Sequence, residues 1–291
     1  GVPVEAINVI SGDTAVVPYG GGTWASRGMA IGGSATLLAA RALREKVARI
    51  AAALLEAHPE DIELGAGRAY VKGSPEHGLP LADLARTVHF RSNALPAGIE
   101  PSLEATVHYT NPRAWTFTNG AHLAVVEVDA ETGLVTLLRY LAVDDCGRVV
   151  NPALVEGQVR GGIVQGIGGA LFEECRYDAS GQLLTTTLMD YLIPTTAEVP
   201  PIEVHHLETP APYLAGGFKG AGEGGTAGAP AAILNAVNDA LAPFGSPALL
   251  SRRLTPVASD TAIGPAALRP PLTRGLPFSR MSTDHELSKN L

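Results

Sequence analysis

Glycine and proline occur mainly in clusters along this chain, and this distribution constrains the fold more than any other feature of the sequence. The 291 residues include 33 glycines and 22 prolines. Both residue types interrupt helices and strands, so their clusters divide the chain into short elements. Three glycine-rich segments, at residues 20–33, 144–158 and 216–228, also contain polar residues. Because glycine lets the backbone approach a ligand and present its N–H groups, three such loops predict one large polar cofactor.

Between the clusters, the hydrophobic pattern predicts helices and strands in an irregular order. Helices are predicted at residues 43–54, 81–88 and 231–241, and from residue 151 onwards. Strands are predicted at residues 4–10, 104–110 and 202–207, on both sides of a turn within 61–71, and as an antiparallel hairpin at 121–128 and 134–143. No parallel strand–helix–strand repeat is apparent, so these elements predict an α+β fold.

The helix that begins at Asn151 contains an unusual number of glycines between residues 161 and 169. Glycine has a low helix propensity, so these residues indicate that another part of the structure approaches this backbone closely. The regular pattern ends after Pro256. We therefore expect one folded region over residues 1–258 and an extended tail over 259–291 that lies on a neighbouring molecule.

Composition excludes several classes of protein. Hydrophobic residues make up 46% of the chain, which excludes intrinsic disorder, and the net charge of −8 argues against a nucleic-acid partner. The apolar segment at residues 35–57 is interrupted by charged residues, among them Arg41, Arg44, Glu45, Lys46 and Arg49, and no signal-peptide pattern opens the chain. We therefore expect a cytoplasmic protein without a membrane span. Two cysteines are too few to hold an iron–sulfur cluster in this chain.

Glu223 is the candidate catalytic residue, because it lies within the glycine-rich sequence GAGEGG at residues 220–225. No neighbouring side chain shields a carboxylate in such a loop, so it is directed at whatever the loop binds, as a general base would be. The alternatives are a surface carboxylate or a helix cap before Pro230. Lys219, just before the loop, either neutralises an anion or is solvated.

The same loop matches the G-x-G-x-x-G pattern of dinucleotide-binding proteins, which requires an apolar strand immediately before it. The preceding residues 209–216 include two prolines and a glycine. Such a segment makes a poor parallel strand, so a nicotinamide-dependent dehydrogenase is disfavoured.

Three motifs together resemble a known family. They are GTWASR at residues 22–27, DDCGRVVNP at 144–152 followed by EGQ at 156–158, and KGAGEGGT at 219–226. Their order and spacing resemble the second half of the molybdopterin-binding large subunit of the xanthine oxidase family of molybdenum hydroxylases. The similarity covers roughly residues 2–256, and it is strongest to the carbon monoxide dehydrogenase-like and aldehyde oxidase-like branch.

This resemblance implies a molybdenum held by a pterin dinucleotide, in the cytosine form, without any side-chain metal ligand. It places Glu223 as the general base that helps to hydroxylate an electron-poor carbon of an N-heterocycle, aldehyde or similar substrate with water-derived oxygen. The implied cofactor-binding residues are Thr23, Ser26 and Arg27 in the first loop, Cys146, Val150, Asn151 and Gln158 in the second, and Lys219, Gly220, Ala221 and Gly222 in the third.

Three of these residues also have structural interpretations that the sequence leaves open. Cys146 has the size of a buried core side chain, Asn151 precedes Pro152 as a helix N-cap would, and Gln158 is compatible with a helix surface.

The family needs more than this chain contains. We find no match here to the first half of the large subunit, to the cysteines of its iron–sulfur clusters or to its flavin domain. The resemblance therefore implies a naturally split, processed or partial large subunit, with partners that carry its first half, the iron–sulfur clusters and the FAD. The alternative is a catalytically silent homologue that braces a multisubunit complex.

Overall fold

Two small sheets, each packed against helices, organise the structure. A computed structural model describes residues 1–17, 19–112 and 116–245 of the chain. Helices and strands are mixed irregularly, and the predicted α+β class is confirmed. The predicted tail at residues 259–291 lies outside the described residues. Within the described part, no helix is both long enough and apolar enough to cross a membrane.

The first sheet is antiparallel and packs against two helices. Its strands are β1 (Ile62–Gly65), β2 (Arg68–Val71) and β3 (Ser74–Pro80), and the helices are α1 (Ser34–Leu54) and α2 (Leu81–Phe90). Ile50, Leu84 and Val88 are fully buried between the sheet and the helices. The predictions of α1, of α2 and of the two strands around the turn at residues 65–67 are confirmed.

The second sheet carries the glycine-rich loops. Strands β4 (Asn119–Val128) and β5 (Val135–Asp145) form the predicted antiparallel hairpin, and β6 (Ile202–His206) pairs with β5 in parallel. Helices α3 (Pro152–Leu171) and α4 (Gly224–Leu241) cover this sheet. Tyr140 on β5, Ile163 on α3 and Ile233 on α4 are fully buried in the shared core.

Glycines on both α3 and α4 allow the two helices to approach each other closely. A Cβ atom on Gly166 would lie 2.6 Å from the Cβ of Ala229, and one on Gly225 would lie 2.2 Å from the carbonyl oxygen of Val159. Both distances are shorter than van der Waals contact. The close approach that the sequence predicts for this helix is therefore the approach of α4.

Two predicted strands are wrong. Residues 4–10 contain a single 3₁₀ turn, Val4–Ala6, followed by irregular backbone, and residues 104–110 are irregular throughout. Neither segment pairs with a strand in the described structure, and a strand without a partner leaves its backbone N–H and C=O groups unpaired. The β5–α3–β6 segment is a parallel strand–helix–strand connection, which the sequence does not predict because an irregular segment at residues 172–201 separates α3 from β6.

Candidate active site

The three glycine-rich loops meet at one end of the second sheet. The side chain of Ser26, in the first loop, contacts Glu223 in the third. The amide nitrogen of Gln158, on α3, donates a hydrogen bond of 2.8 Å to the carbonyl oxygen of Gly222. The hydroxyl of Thr118, just before β4, donates to the carbonyl oxygen of Gly220. The backbone that leads to Glu223 is therefore held by side chains from several elements.

A pocket of about 440 Å³ opens beside Glu223. Its lining combines the start of α4 with the open end of the β4–β5 hairpin, and it includes Ser26, His122 and Asp144. Glu223 immediately precedes α4, but its side chain does not cap the helix. Glu223 is exposed and lines the pocket.

Glu223 is held by Ser26 through two hydrogen bonds. The Ser26 hydroxyl lies 2.7 Å from Oε2 of Glu223, and the backbone N–H of Glu223 donates to Oγ of Ser26 at 3.1 Å. A Cβ atom on Gly220 would lie 2.5 Å from the Cβ of Ser26. Glycine at position 220 therefore makes room for Ser26.

Asp144 lies at the end of β5 and lines the same pocket. Its side chain is almost fully buried, and Oδ2 has no hydrogen-bond partner among the described residues. Burial raises the pKa of Asp144, and the nearby Asp145 raises it further, whereas the charge of His206 opposes the shift. Asp144 opens the DDCGRVVNP motif, but the sequence alone does not assign it to the site.

His122 is a second pocket residue that the sequence analysis did not identify. It lies on β4, where Nδ1 is 2.7 Å from the hydroxyl of Tyr140. Burial lowers the pKa of His122 and raises that of Tyr140. A polar side chain among the apolar residues of a predicted strand was the available signal.

Lys219 and Cys146 lie inside the protein beneath the third loop. The Lys219 ammonium nitrogen is 3.4 Å from Oδ1 of Asp145, and both side chains are nearly buried. Burial acts to raise the pKa of Asp145, but hydrogen bonds from Thr209 and the backbone, together with the charge of Lys219, leave it below its ordinary value. Burial also raises the pKa of the Cys146 thiol, as the nearby Asp144 does.

The other residues of the second loop lie at the start of α3. Oδ1 of Asn151 accepts the backbone N–H of Leu154 at 3.2 Å, so Asn151 is the N-cap of the helix. Val150 is exposed, and so is Gln158, whose side chain bridges to the third loop.

The remaining predicted residues of the first loop are Thr23 and Arg27, and Arg27 packs against Trp24. The Arg27 guanidinium carbon lies 4.8 Å from the centre of the Trp24 ring, a cation–π contact. The two residues line a second cavity of about 170 Å³. Thr23 is exposed, and Ala221 in the third loop is half-buried.

The G-x-G-x-x-G pattern does not lie in a dinucleotide-binding context. No strand immediately precedes residues 220–225 in the described structure, and α4 begins only at Gly224. A strand that leads directly into the first glycine is required for that function, so the nicotinamide-binding alternative gains no support.

Comparison with known proteins identifies the family. A family model described as "Molybdopterin cofactor-binding domain" matches residues 1–200. The chain belongs to this family. Two curated relatives of this molybdopterin cofactor-binding domain are the nicotine 6-hydroxylase large subunit of Paenarthrobacter nicotinovorans, 48% identical over 246 residues, and the carbon monoxide dehydrogenase large chain of Hydrogenophaga pseudoflava, 41% identical over 245 residues. Each match covers 84% of this chain.

Solved structures agree with this assignment. The quinoline 2-oxidoreductase of Pseudomonas putida 86 superposes with a TM-score of 0.76 and 46% identity, covering 84% of this chain and 31% of the other. The domain spans about 30% of the length of the curated relatives that it matches. The resemblance to molybdenum hydroxylase large subunits is confirmed, and these relatives are much longer than the present chain.

Proposed function

We propose that this chain is the part of a molybdenum hydroxylase large subunit that supplies the general base, Glu223. The reaction is the hydroxylation of an electron-poor carbon with water-derived oxygen. The observation that carries the proposal is the exposed Glu223 carboxylate, held beside a pocket by the three loops whose motifs resemble the family. The names of two relatives, a nicotine 6-hydroxylase and a quinoline 2-oxidoreductase, support an N-heterocycle as the substrate, with aldehydes as the other class.

The residues of the site fit a molybdenum–pterin cofactor. Gly224, the first residue of α4, lines the pocket, and the amides at a helix N-terminus favour anionic groups. The Arg27 guanidinium offers paired N–H donors of the kind that bind phosphate. Thr23, Arg27 and the backbone of the third loop would hold the cofactor. When bound, it supplies the oxidising centre that accepts electrons from the substrate.

The role of this chain in the reaction is to accept a proton. A general base must lie within hydrogen-bond reach of the proton that it removes, and the exposed Glu223 lines the pocket in which the reacting group would bind. The buried Asp144 and His122, which contacts the Tyr140 hydroxyl, contribute polar groups to the pocket lining.

The first test compares Glu223→Gln with the unchanged protein in the fully matured complex. We expect turnover to fall by roughly 10²- to 10⁴-fold, the usual contribution of a general base, while the molybdenum and nucleotide contents stay the same. Glu131→Gln, an exposed carboxylate in the β4–β5 turn, is the matched control and should keep full activity.

Two results would contradict the proposal. If Glu223→Gln retains turnover, Glu223 is not the base. If matured complex contains no molybdenum, the enzyme assignment fails and the catalytically silent bracing homologue replaces it. The same nucleotide analysis tests the proposed cytosine dinucleotide, because hydrolysis of that cofactor releases cytidine monophosphate.

We also propose the partners that this chemistry requires. They are a polypeptide that corresponds to the rest of the large subunit, an iron–sulfur subunit and an FAD subunit. The relatives are named as large subunits or as a large chain, which supports a complex of several subunits. Metal, flavin and subunit analysis of the complex purified through this chain tests each partner separately.

A further inference from the structure

The hydroxyl group of Ser26 donates a hydrogen bond to the Glu223 carboxylate. Its oxygen lies 2.7 Å from Oε2 of Glu223 and 3.1 Å from the Glu223 backbone nitrogen. A backbone N–H can only donate, so the Ser26 oxygen is the acceptor in that contact. The hydroxyl hydrogen of Ser26 is then available for Oε2, and the direction of both hydrogen bonds is determined.

The backbone around Ser26 adopts an unfavourable conformation in order to make these contacts. Ala25 and Ser26 have φ angles of 51° and 53°, in the left-handed region that residues with a Cβ atom rarely occupy. Gly220 accommodates this turn, since a Cβ atom there would lie 2.7 Å from the Ser26 carbonyl oxygen. Thr118 in turn holds the carbonyl group of Gly220. Contacts from the third loop therefore stabilise Ser26 in this conformation.

We propose that Ser26 is a positioning residue for Glu223. It holds Oε2 as a hydrogen-bond acceptor and so leaves Oε1 to take up the proton. An exposed glutamate otherwise samples several rotamers, and only some of them direct the carboxylate into the pocket. This inference rests on the proposed role of Glu223 as general base. It gives the Ser26 hydroxyl a role other than the cofactor contact that the family resemblance implies.

The test uses a pair of variants in the same turn of the intact complex. Ser26→Gly removes the hydroxyl group, and glycine accepts a positive φ angle without strain. Ala25→Gly loosens the neighbouring left-handed residue equally without removing a hydrogen bond. We expect Ser26→Gly to lower kcat by roughly 10- to 100-fold, with KM and the molybdenum and nucleotide contents unchanged. Ala25→Gly should lower kcat much less.

A third variant, in the third loop, disturbs the contact between Ser26 and Glu223. Gly220→Ala places a methyl group 2.5 Å from the Cβ of Ser26 and must displace it, although both hydrogen-bonding side chains remain. We expect kcat to fall as it does in Ser26→Gly. If Ser26→Gly does not assemble, this variant decides the question.

The outcomes separate this inference from the proposed function. An active Ser26→Gly complex beside an inactive, molybdenum-containing Glu223→Gln complex overturns the role of Ser26 alone. Equal losses in Ser26→Gly and Ala25→Gly also overturn it, since they assign the effect to loop rigidity. A loss of molybdenum or nucleotide in Ser26→Gly also overturns it, and would mean that Ser26 contacts the cofactor, as the family resemblance implies. Retained turnover in Glu223→Gln contradicts the proposed function itself.

Discussion

Asp144 is a buried acid at the pocket whose ionisation opposes folding. Its pKa is raised, mainly by burial, so the folded protein binds this proton more tightly than the unfolded chain does. The stability that this tighter proton binding contributes is fully present below the unfolded pKa and is lost as the pH rises through the folded pKa. Oδ2 also lacks a hydrogen-bond partner in the described structure. Ionisation of this buried side chain therefore costs the fold stability as the pH rises.

We expect Asp144→Asn to raise the free energy of unfolding at pH 7 by roughly 1–3 kcal/mol, because the amide has no charged form that burial penalises. Because the asparagine does not ionise, the gain should shrink as the pH falls towards the unfolded pKa of an aspartate. Chemical denaturation between pH 4 and pH 8, on the order of the range in which aspartates of raised pKa titrate, measures this difference. A gain that is independent of pH would contradict the explanation.

Asp129, at the exposed β4–β5 turn, provides a control because its pKa is lowered, whereas that of Asp144 is raised. Hydrogen bonds from the backbone N–H groups of Glu131 and Thr132 lower its pKa. Its contribution to stability is present above the unfolded pKa and is lost as the pH falls through the folded pKa. Asp129→Asn should therefore lower stability at neutral pH, with a difference that disappears at acidic pH.

At the scale of elements, the glycines of α3 have two different environments. Gly166 faces α4, where a Cβ atom would lie 2.6 Å from the Cβ of Ala229. Gly161 faces open space, with no atom within 4 Å of the position of a Cβ atom. The same substitution in one helix should therefore have opposite effects at the two positions.

Alanine at Gly161 should raise the free energy of unfolding by about 0.5–1 kcal/mol, because alanine has the higher helix propensity. Alanine at Gly166 should instead lower it by about 1–3 kcal/mol, because it forces α3 and α4 apart. Thermal and chemical unfolding of the two variants measure both changes. Stabilisation by Gly166→Ala would mean that the helices are not in close contact in solution.

At the scale of the whole molecule, a run of large apolar side chains is exposed near one end of the described structure. Residues 2–10 lack strand structure and expose the large apolar side chains of Val2, Val4, Ile7, Val9 and Ile10. Contiguous exposed apolar surface is typical of an interface. We interpret this segment as a contact with the rest of the large subunit.

Hydrogen exchange measured by mass spectrometry tests this contact. We expect residues 2–10 to exchange more slowly in the assembled complex than in the chain on its own, whereas the exposed turn at residues 129–133 should exchange equally in both. Equal exchange of residues 2–10 in the two samples would exclude them from the interface.

Local patterns in the sequence determined much of this fold and the family of the protein. Helical periodicity and turn residues act over short distances, so they were sufficient to predict α1, α2, α4 and the β4–β5 hairpin. Three short motifs in order were sufficient to identify the family, because glycine-rich loops with polar residues are specific in combination. The glycine neighbours of Glu223 made it a candidate, the family resemblance assigned it as the base, and that role stays a prediction.

Tertiary structure alone decided which residues meet. Ser26 and Glu223 are 197 positions apart, and the parallel β5–β6 pair is separated by α3 and a long irregular segment. The segments at residues 4–10 and 104–110 have the residue pattern of strands but have no partner strand in the described structure. Asp144 lines the pocket because the end of β5 lies beside the start of α4. Such contacts depend on how distant elements pack, and local propensity does not contain that information.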